Sequence, residues 1–101
     1  MNILLCCSAG MSTSLIVSKM EKIAEARGIS AHIWAVSESV VRSEFIEADV
    51  LLLGPQVRFL LDEMESVCLE KNIPVDVIDM FSYGMCDGEA ILEQAIKLNN
   101  K

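Results

Sequence analysis

The fold is decided by residues 2–16, which read NILLCCSAGMSTSLI. Ile3 to Cys6 form a short apolar run that predicts a buried β-strand. A loop of mostly small residues follows, and an amphipathic helix is predicted over residues 13–27. Cys7 is therefore placed between a buried strand and the N-terminus of a helix.

The rest of the chain repeats this alternation of strand and helix. Further strands are predicted at residues 29–36, 50–53 and 75–78, further helices at 39–48, from Pro55 onward and around 91–96, and a loop at 79–88. Strands joined through helices in this way form right-handed crossovers. We therefore predict one α/β domain over residues 1–101: a single four-stranded parallel sheet with helices on both faces and its second strand near an edge.

The loop after the first strand is suited to binding an anion. Backbone N–H groups in the first turn of a helix lack intrahelical partners and carry the positive end of the helix dipole, which attracts phosphate. Small side chains let the backbone approach a ligand, and hydroxyl groups add donors. All 15 acidic residues of the chain come after Met20. The predicted phosphate-binding residues are Ser8, Ala9, Gly10, Met11, Ser12, Thr13 and Ser14.

Cys7 is the candidate nucleophile. The positive end of a helix stabilises a thiolate, which is the reactive form of cysteine. Free cysteine is also a common core residue, and we assign that role to Cys6, which extends the apolar run. Cys7 leaves the strand, and we expect its sulfur to lie bare within a ring of backbone amides. The predicted chemistry is phosphoryl transfer through a cysteinyl phosphate.

Two further candidate residues are predicted at the same edge of the sheet, because ligands of parallel sheets bind beyond the carboxyl ends of the strands. Gln56 follows the third predicted strand, and Tyr83 lies in the loop after the fourth. Each could orient a phosphate, touch a partner or form a turn. Asp87, in the same loop, is expected to cap a helix rather than to act as a general acid.

The composition limits the function classes. A net charge of −7 argues against nucleic-acid binding, which uses clustered Lys and Arg. No apolar run approaches the ~20 residues of a membrane-spanning helix, so we expect a cytoplasmic protein without membrane insertion. The four cysteines and one histidine lack the spacing of zinc ligands, and neither a metal nor another cofactor is expected.

Three segments carry a resemblance to a known family. They are CSAGMSTS at 7–14, ADVLLLGPQ at 48–56, and PVDVID at 74–79 followed by Tyr83-Gly84 and Asp87-Gly88. In this order they resemble the B component (enzyme IIB) of the lactose/cellobiose family of bacterial phosphoenolpyruvate-dependent sugar phosphotransferase systems, in its free-standing cellobiose or diacetylchitobiose type. Cys6 departs from the pattern, since a larger apolar residue is expected there in relatives.

The resemblance implies a phosphoryl carrier. A phosphohistidine on the A component would give its phosphoryl group to Cys7. Cys7 would then pass it to a β-linked disaccharide of the cellobiose or chitobiose class, held by the membrane-embedded C component. The resemblance also implies a loop after the first strand like that of low-molecular-weight tyrosine phosphatases.

Alternative functions are a small cysteine-dependent phosphatase or arsenate reductase, and a non-catalytic signalling domain. The first class clamps phosphate with an arginine six residues after the nucleophile, where this chain has Thr13. It also uses a late aspartic acid as general acid, for which Asp79 or Asp87 are candidates. A signalling receiver carries acidic residues after the first strand and a phosphorylated aspartate after the third, where this chain has cysteines and Gly54. A flavin-binding module is compatible with the topology alone.

Overall fold

A four-stranded parallel sheet organises the part of the chain that the computed structural model describes, residues 1–8 and 11–100. The strands are β1 (Asn2–Cys7), β2 (His32–Ser37), β3 (Val50–Leu53) and β4 (Val75–Val77), in the spatial order β2-β1-β3-β4. Each neighbouring pair is parallel, with Leu4 of β1 opposite Trp34 of β2 and Leu51 of β3. The parallel sheet and the edge position of the second strand are confirmed.

Helical segments connect these strands. They are the α-helices α1 (Met11–Ala26), α2 (Glu38–Glu44), α3 (Leu61–Leu69), α4 (Met80–Gly84) and α5 (Gly88–Asn99), with 3₁₀ helices at Phe45–Glu47 and Pro55–Leu60. Within the described ranges, none of the helices is both long enough and apolar enough to cross a membrane.

Both faces of the sheet are covered by helices, as predicted. Alternate residues of a strand point to opposite faces. Ile3 and Leu5 accordingly pack in a core with α1 and α5, whereas Leu4 and Cys6 pack in a second core with α2 and α3. Every residue of β3 is buried, which is why that strand reads as a continuous apolar run.

Helices α1 and α5 approach each other closely at Gly88. A β-carbon at this position would lie only 2.8 Å from the Cβ of Lys19 in α1. Just beyond α1, Arg27 forms ion pairs with Glu89 and Glu93 of α5. The absence of a side chain at Gly88 therefore sets the distance between the two helices on this face of the sheet.

Strand β2 begins three residues later than predicted. The N–H of Ile29 donates to the carbonyl of Ala24 at 2.8 Å, and Gly28 adopts a φ of +71°, so this segment closes the end of α1. The first strand residue is His32, whose N–H donates to the carbonyl of Met1 at 2.9 Å.

The helix predicted from Pro55 is not one regular helix. Its first six residues form a 3₁₀ helix in which Val57 has non-helical backbone angles, and α3 begins only at Leu61. The N–H of Val57 donates to the carbonyl of Gly54 at 3.0 Å, the three-residue spacing typical of a 3₁₀ turn. The prediction of a single regular helix was therefore wrong.

The prediction of a loop over residues 79–88 was also wrong, because this segment contains α4. The carboxylate of Asp79 accepts hydrogen bonds from the backbone N–H of Ser82 at 2.9 Å and from its hydroxyl at 3.0 Å. This arrangement caps the helix N-terminus and stabilises a turn that apolar periodicity did not reveal. The final helix begins at Gly88, earlier than its apolar residues indicated.

Candidate functional site

Cys7 is the last residue of β1 and lies opposite Ser37 of β2. Its exposed fraction is 3%. Two expectations are corrected here: Cys7 belongs to the strand rather than to the loop, and it is buried rather than bare. Cys7 belongs to the strand because β1 continues to pair with β2 through this residue. Thr13 of α1 and Ser37 of β2 line the small cavity beside its side chain.

A cavity of about 160 Å³ adjoins the side chain of Cys7 and is called the Cys7 cavity below. It is lined by Cys7 of β1, Thr13 and Ser14 of α1, and Ala35, Val36 and Ser37 of β2. These residues place three hydroxyl groups around one thiol, and none of them carries a charged side chain. A volume of this size holds several water-sized groups, so a phosphoryl group on the sulfur has room.

The predicted phosphate-binding loop is described in part. Ala9 and Gly10 lie outside the described residues, as do the side chains of Met11 and Ser12. Of the remaining three residues, Ser8 and Ser14 are exposed and Thr13 is buried. Thr13 and Ser14 line the Cys7 cavity, and Ser8 does not. Helix α1 starts two residues before the predicted position, and its first turn carries no acidic side chain. The positive end of its dipole is therefore not offset by a carboxylate from its own first turn.

Cys6 differs from Cys7 although the two are adjacent. Cys6 is 1% exposed and belongs to the core formed with α2 and α3, as expected. Burial, with smaller contributions from Cys7 and Glu38, raises the pKa of the Cys6 thiol to about 12. Cys6 is therefore a protonated thiol at neutral pH, which is a poor nucleophile.

Tyr83 and Gln56 come together around Gly54, the residue that follows β3. A β-carbon at Gly54 would lie 3.3 Å from Oε1 of Gln56, 3.4 Å from Cε2 of Tyr83 and 3.3 Å from the carbonyl oxygen of Cys6. The N–H of Gly54 donates to that same carbonyl at 2.8 Å. Gln56 is exposed, whereas Tyr83 is 8% exposed. The two rim candidates thus share one neighbour at the carboxyl edge of the sheet.

Tyr83 also reaches the wall of the Cys7 cavity. Its hydroxyl oxygen lies 3.5 Å from Oγ1 of Thr13, in a buried contact between residues 70 positions apart in the chain. The position of Tyr83 is fixed by α4, since its N–H donates to the carbonyl of Asp79 at 2.9 Å. The element after β4 is therefore tied to the first turns of α1.

Asp79 and Asp87 both serve as helix caps. Asp87 accepts a hydrogen bond from the N–H of Ala90 at 3.1 Å, as expected for the cap of α5. Hydrogen bonds from the backbone and side chain of Ser82 lower the pKa of Asp79 below its usual value. A carboxylate that ionises more readily than usual is poorly suited to donate a proton to a leaving group near neutral pH.

Large apolar side chains are exposed on the elements that leave the carboxyl edge of the sheet. They are Leu15 of α1, Phe59 of the 3₁₀ helix after β3, Met80 and Phe81 of α4, and Met85 just beyond it, each at least half exposed. The sequence prediction missed most of these because it treated residues 79–88 as a loop. Exposed apolar groups of this kind are typical of surfaces that contact another protein.

The size of a cavity does not identify the site in this molecule. A cavity of about 690 Å³ lies at the opposite, amino edge of the sheet, where Ala48 and Asp49 precede β3 and Ile73 and Pro74 precede β4. Its lining contains no cysteine, serine or histidine. Within residues 1–8 and 11–100, no three side chains of His, Cys, Asp or Glu are grouped to hold a metal ion.

The amino-acid sequence that forms this site matches a known protein family. The family model for the lactose/cellobiose-specific IIB subunit of the sugar phosphotransferase system (PTS) matches residues 2–94. The chain belongs to this family. The recognition made from the sequence is thereby confirmed.

Curated relatives agree along nearly the whole chain. The oligo-β-mannoside-specific EIIB component of Bacillus subtilis strain 168 is 48% identical over 96 residues, which cover 95% of this chain and 93% of that protein. The cellobiose-specific EIIB component of Lactococcus lactis subsp. lactis strain IL1403 is 43% identical over 103 residues, covering 97% and 95% respectively.

A solved structure gives the same result for the fold. The solution structure of the cellobiose-specific IIB component from Borrelia burgdorferi aligns with a TM-score of 0.80 at 43% identity, covering all of this chain and 94% of that one. The IIB chain described here is thus a phosphotransferase component with a role in sugar phosphotransfer. IIB components of this family act within a PTS of several components.

Proposed function

We propose that Cys7 carries a phosphoryl group between two partners in this PTS. The Cys7 thiolate attacks the phosphorus of a phosphohistidine on the A component. An S–P bond forms as the N–P bond breaks, and the histidine nitrogen leaves with the bonding electron pair. In the second step a sugar hydroxyl attacks the phosphorus, and the sulfur leaves as thiolate while the hydroxyl proton passes to the surroundings.

The observation that carries this proposal is the shared cavity of Cys7, Thr13 and Ser14. A nucleophilic sulfur at the end of a parallel strand, beside the N-terminal turns of a helix, meets the requirements for holding a cysteinyl phosphate. The hydroxyl groups of Thr13 and Ser14 can donate to the non-bridging oxygens, together with backbone N–H groups from the first turn of α1. Such donors stabilise the charge that shifts between the attacking and leaving atoms.

The proposed acceptor is a β-linked disaccharide of the cellobiose or chitobiose class. Two relatives, at 48% and 43% identity, are named for oligo-β-mannosides and cellobiose, which are β-linked sugars, and a third, at 43%, is named for galactose. We propose that this sugar is held by a membrane-embedded C component, because the cavity that the described residues form beside Cys7 has a volume of about 160 Å³, too small for a disaccharide.

Both proposed partners are proteins that must reach a buried sulfur. The exposed apolar side chains at the carboxyl edge, among them Phe59 and Phe81, support docking of the A and C components around the Cys7 cavity. We further propose that residues 1–101 act as a single phosphotransferase B domain in the cytoplasm, without binding nucleic acid.

Hydrolysis of the cysteinyl phosphate is disfavoured. Cysteine-dependent phosphatases hold phosphate with an arginine, and this chain has Thr13 at that position. Thr13 is buried and contacts Tyr83. Asp79 and Asp87, the two candidate general acids, are both engaged as helix caps. A carrier needs this resistance, because its phosphoryl group must survive until the acceptor arrives.

The test is phosphoryl acceptance from a radiolabelled, phosphorylated A component. The Cys7→Ser protein is expected to take up no acid-labile thiol-linked label, whereas Cys6→Ser is expected to be labelled like the wild type. Cys6→Ser is the matched control, because it removes a neighbouring thiol from the opposite face of β1. Equal labelling of both variants, or equal loss, would contradict the assignment of Cys7.

A further inference from the structure

We propose that Tyr83 is a positioning residue for phosphoryl transfer, which acts by holding the hydroxyl of Thr13 at the wall of the Cys7 cavity. This inference rests on the proposed function of Cys7. It goes beyond a contact at the rim, because Tyr83 is assigned a role through Thr13 rather than through direct contact with phosphate.

The geometry places the two hydroxyls in one buried contact. Thr13 is 2% exposed and lines the Cys7 cavity, and its Oγ1 lies 3.5 Å from the phenolic oxygen of Tyr83. The distance is long for a hydrogen bond between hydroxyls, which has its mode near 2.8 Å. Contacts at enzyme sites often shorten when the ligand binds, so the contact leaves room to tighten when an anion occupies the cavity.

The rest of Tyr83 is fixed independently of Thr13. Its ring adjoins Gly54, where a β-carbon would lie 3.4 Å from Cε2, and its backbone is part of α4. The N-terminus of α4 is held by the Asp79 cap. A phenol anchored at both ring and backbone is able to fix the orientation of a smaller, rotatable hydroxyl.

The direction of the hydrogen bond gives the contact a function. A threonine hydroxyl offers one donor and two acceptor sites, and the tyrosine O–H is the more acidic of the two groups. If Tyr83 donates to Thr13, the single proton of Thr13 is left to point elsewhere. The cavity side of Thr13 is where a thiolate or phosphoryl oxygen of Cys7 would accept it.

The experiment measures the rate of phosphoryl acceptance with the A component as varied substrate. Tyr83→Phe keeps the ring against Gly54 and removes only the hydroxyl. We expect kcat to fall about five- to ten-fold, the effect of one hydrogen bond, with an unchanged KM for the A component because Tyr83 lies largely beneath the surface. Ser66→Ala is the matched control: it removes one exposed hydroxyl, which donates to the carbonyl of Asp62 within α3, and its kcat should stay near that of the wild type.

Thr13 variants separate positioning from packing. Thr13→Ser keeps the hydroxyl and is expected to retain most of the kcat of phosphoryl acceptance. Thr13→Val keeps the shape of the side chain without the hydroxyl, and its kcat is expected to fall. Adding Tyr83→Phe to Thr13→Val should cause no further loss of kcat, because Tyr83 then has no hydroxyl to orient. Thermal melts of all variants report whether a loss reflects unfolding instead.

Two results would overturn the inference: wild-type kcat in Tyr83→Phe, or an additional several-fold loss when Tyr83→Phe is combined with Thr13→Val. These outcomes are distinct from a failure of the proposed function. If Cys7→Ser still accepts the phosphoryl group, the carrier role itself is wrong. If Cys7→Ser is inactive and Tyr83→Phe is fully active, only the role of Tyr83 is wrong.

Discussion

The two faces of β1 place neighbouring cysteines in contrasting surroundings. Cys6 points into the apolar core shared with α2 and α3, where burial raises the pKa of its thiol to about 12. Cys7, one residue later, points to the other side and borders a cavity with the hydroxyls of Thr13 and Ser14. The difference follows from the two-residue period of a strand. Two residues of the same type thus lie in different surroundings although they are adjacent in the chain.

The largest expected effect is the loss of phosphoryl acceptance when Cys7 is replaced, compared with a loss of stability when Cys6 is replaced. Cys7→Ala should lower phosphoryl acceptance by about a thousand-fold or more, because the nucleophile is lost. Cys6→Ala should leave acceptance within about two-fold of the wild type and lower the free energy of unfolding by about 1 kcal/mol, because a core side chain is shortened. Labelling assays and urea unfolding of both proteins check this. A Cys6→Ala protein that folds stably and cannot accept phosphate would break the comparison.

The next largest effect is expected on stability, at the close approach of α1 and α5 on the Cys7 side of the sheet. Gly88→Ala should destabilise the protein by about 2 kcal/mol, because the new methyl group would overlap Lys19 and force α1 and α5 apart. Gly84→Ala is the control, since a β-carbon at Gly84 would meet no atom within 4 Å. Urea unfolding measures both. Equal stability of the two variants would show that the close approach of α1 and α5 is not needed.

A smaller effect is expected in the pH dependence of stability. The folded state raises the pKa of Cys6 from 9.0 to about 12. The protonated thiol therefore contributes stability that is fully present below about pH 9 and is lost as the pH rises through 12. At about pH 10 the loss from this residue should be about 1 kcal/mol relative to neutral pH.

The measurement for this pH effect is urea unfolding at neutral pH and near pH 10, under reducing conditions, for the wild type and for Cys6→Ala. The variant should lack this part of the decline, while the titration of other groups is common to both proteins. Parallel curves for the two proteins would contradict the burial of a protonated Cys6 thiol.

The smallest expected effect is the turnover of an aryl phosphate, which should be negligible. Six residues after Cys7 this chain has Thr13, whereas cysteine-dependent phosphatases have an arginine at that position. Asp79 is engaged as the cap of α4. Release of nitrophenol from p-nitrophenyl phosphate checks this, with Cys7→Ser as the blank. Ready, Cys7-dependent turnover would favour a phosphatase over a carrier.

The apolar runs were sufficient to predict the sheet and the helices on both its faces. The run Val50–Leu53 was interpreted as a strand buried on both faces, and every residue of β3 is buried. The same pattern placed Cys7 just outside the first strand, whereas Cys7 is the last residue of β1 and pairs with Ser37 of β2.

The details that escaped prediction depend on local capping and on contacts distant in sequence. Helix α4 is stabilised by the Asp79 side chain rather than by an apolar stripe, so periodicity did not indicate it. The contact between Thr13 and Tyr83 joins residues 70 positions apart, and no local pattern encodes it. The burial of Cys7 likewise depends on pairing with β2 and on the neighbouring α1.

The most direct test of the Cys7 assignment is to map the phosphoryl group by mass spectrometry. The Cys6→Ser protein is incubated with phosphorylated A component, digested at a pH where thiophosphates persist, and sequenced by fragmentation. The phosphoryl group is predicted to reside on Cys7 and to disappear when C component and its sugar are added. A phosphoryl group found instead on His32, the one histidine of the chain, or on a serine of the loop, would contradict the carrier role of Cys7.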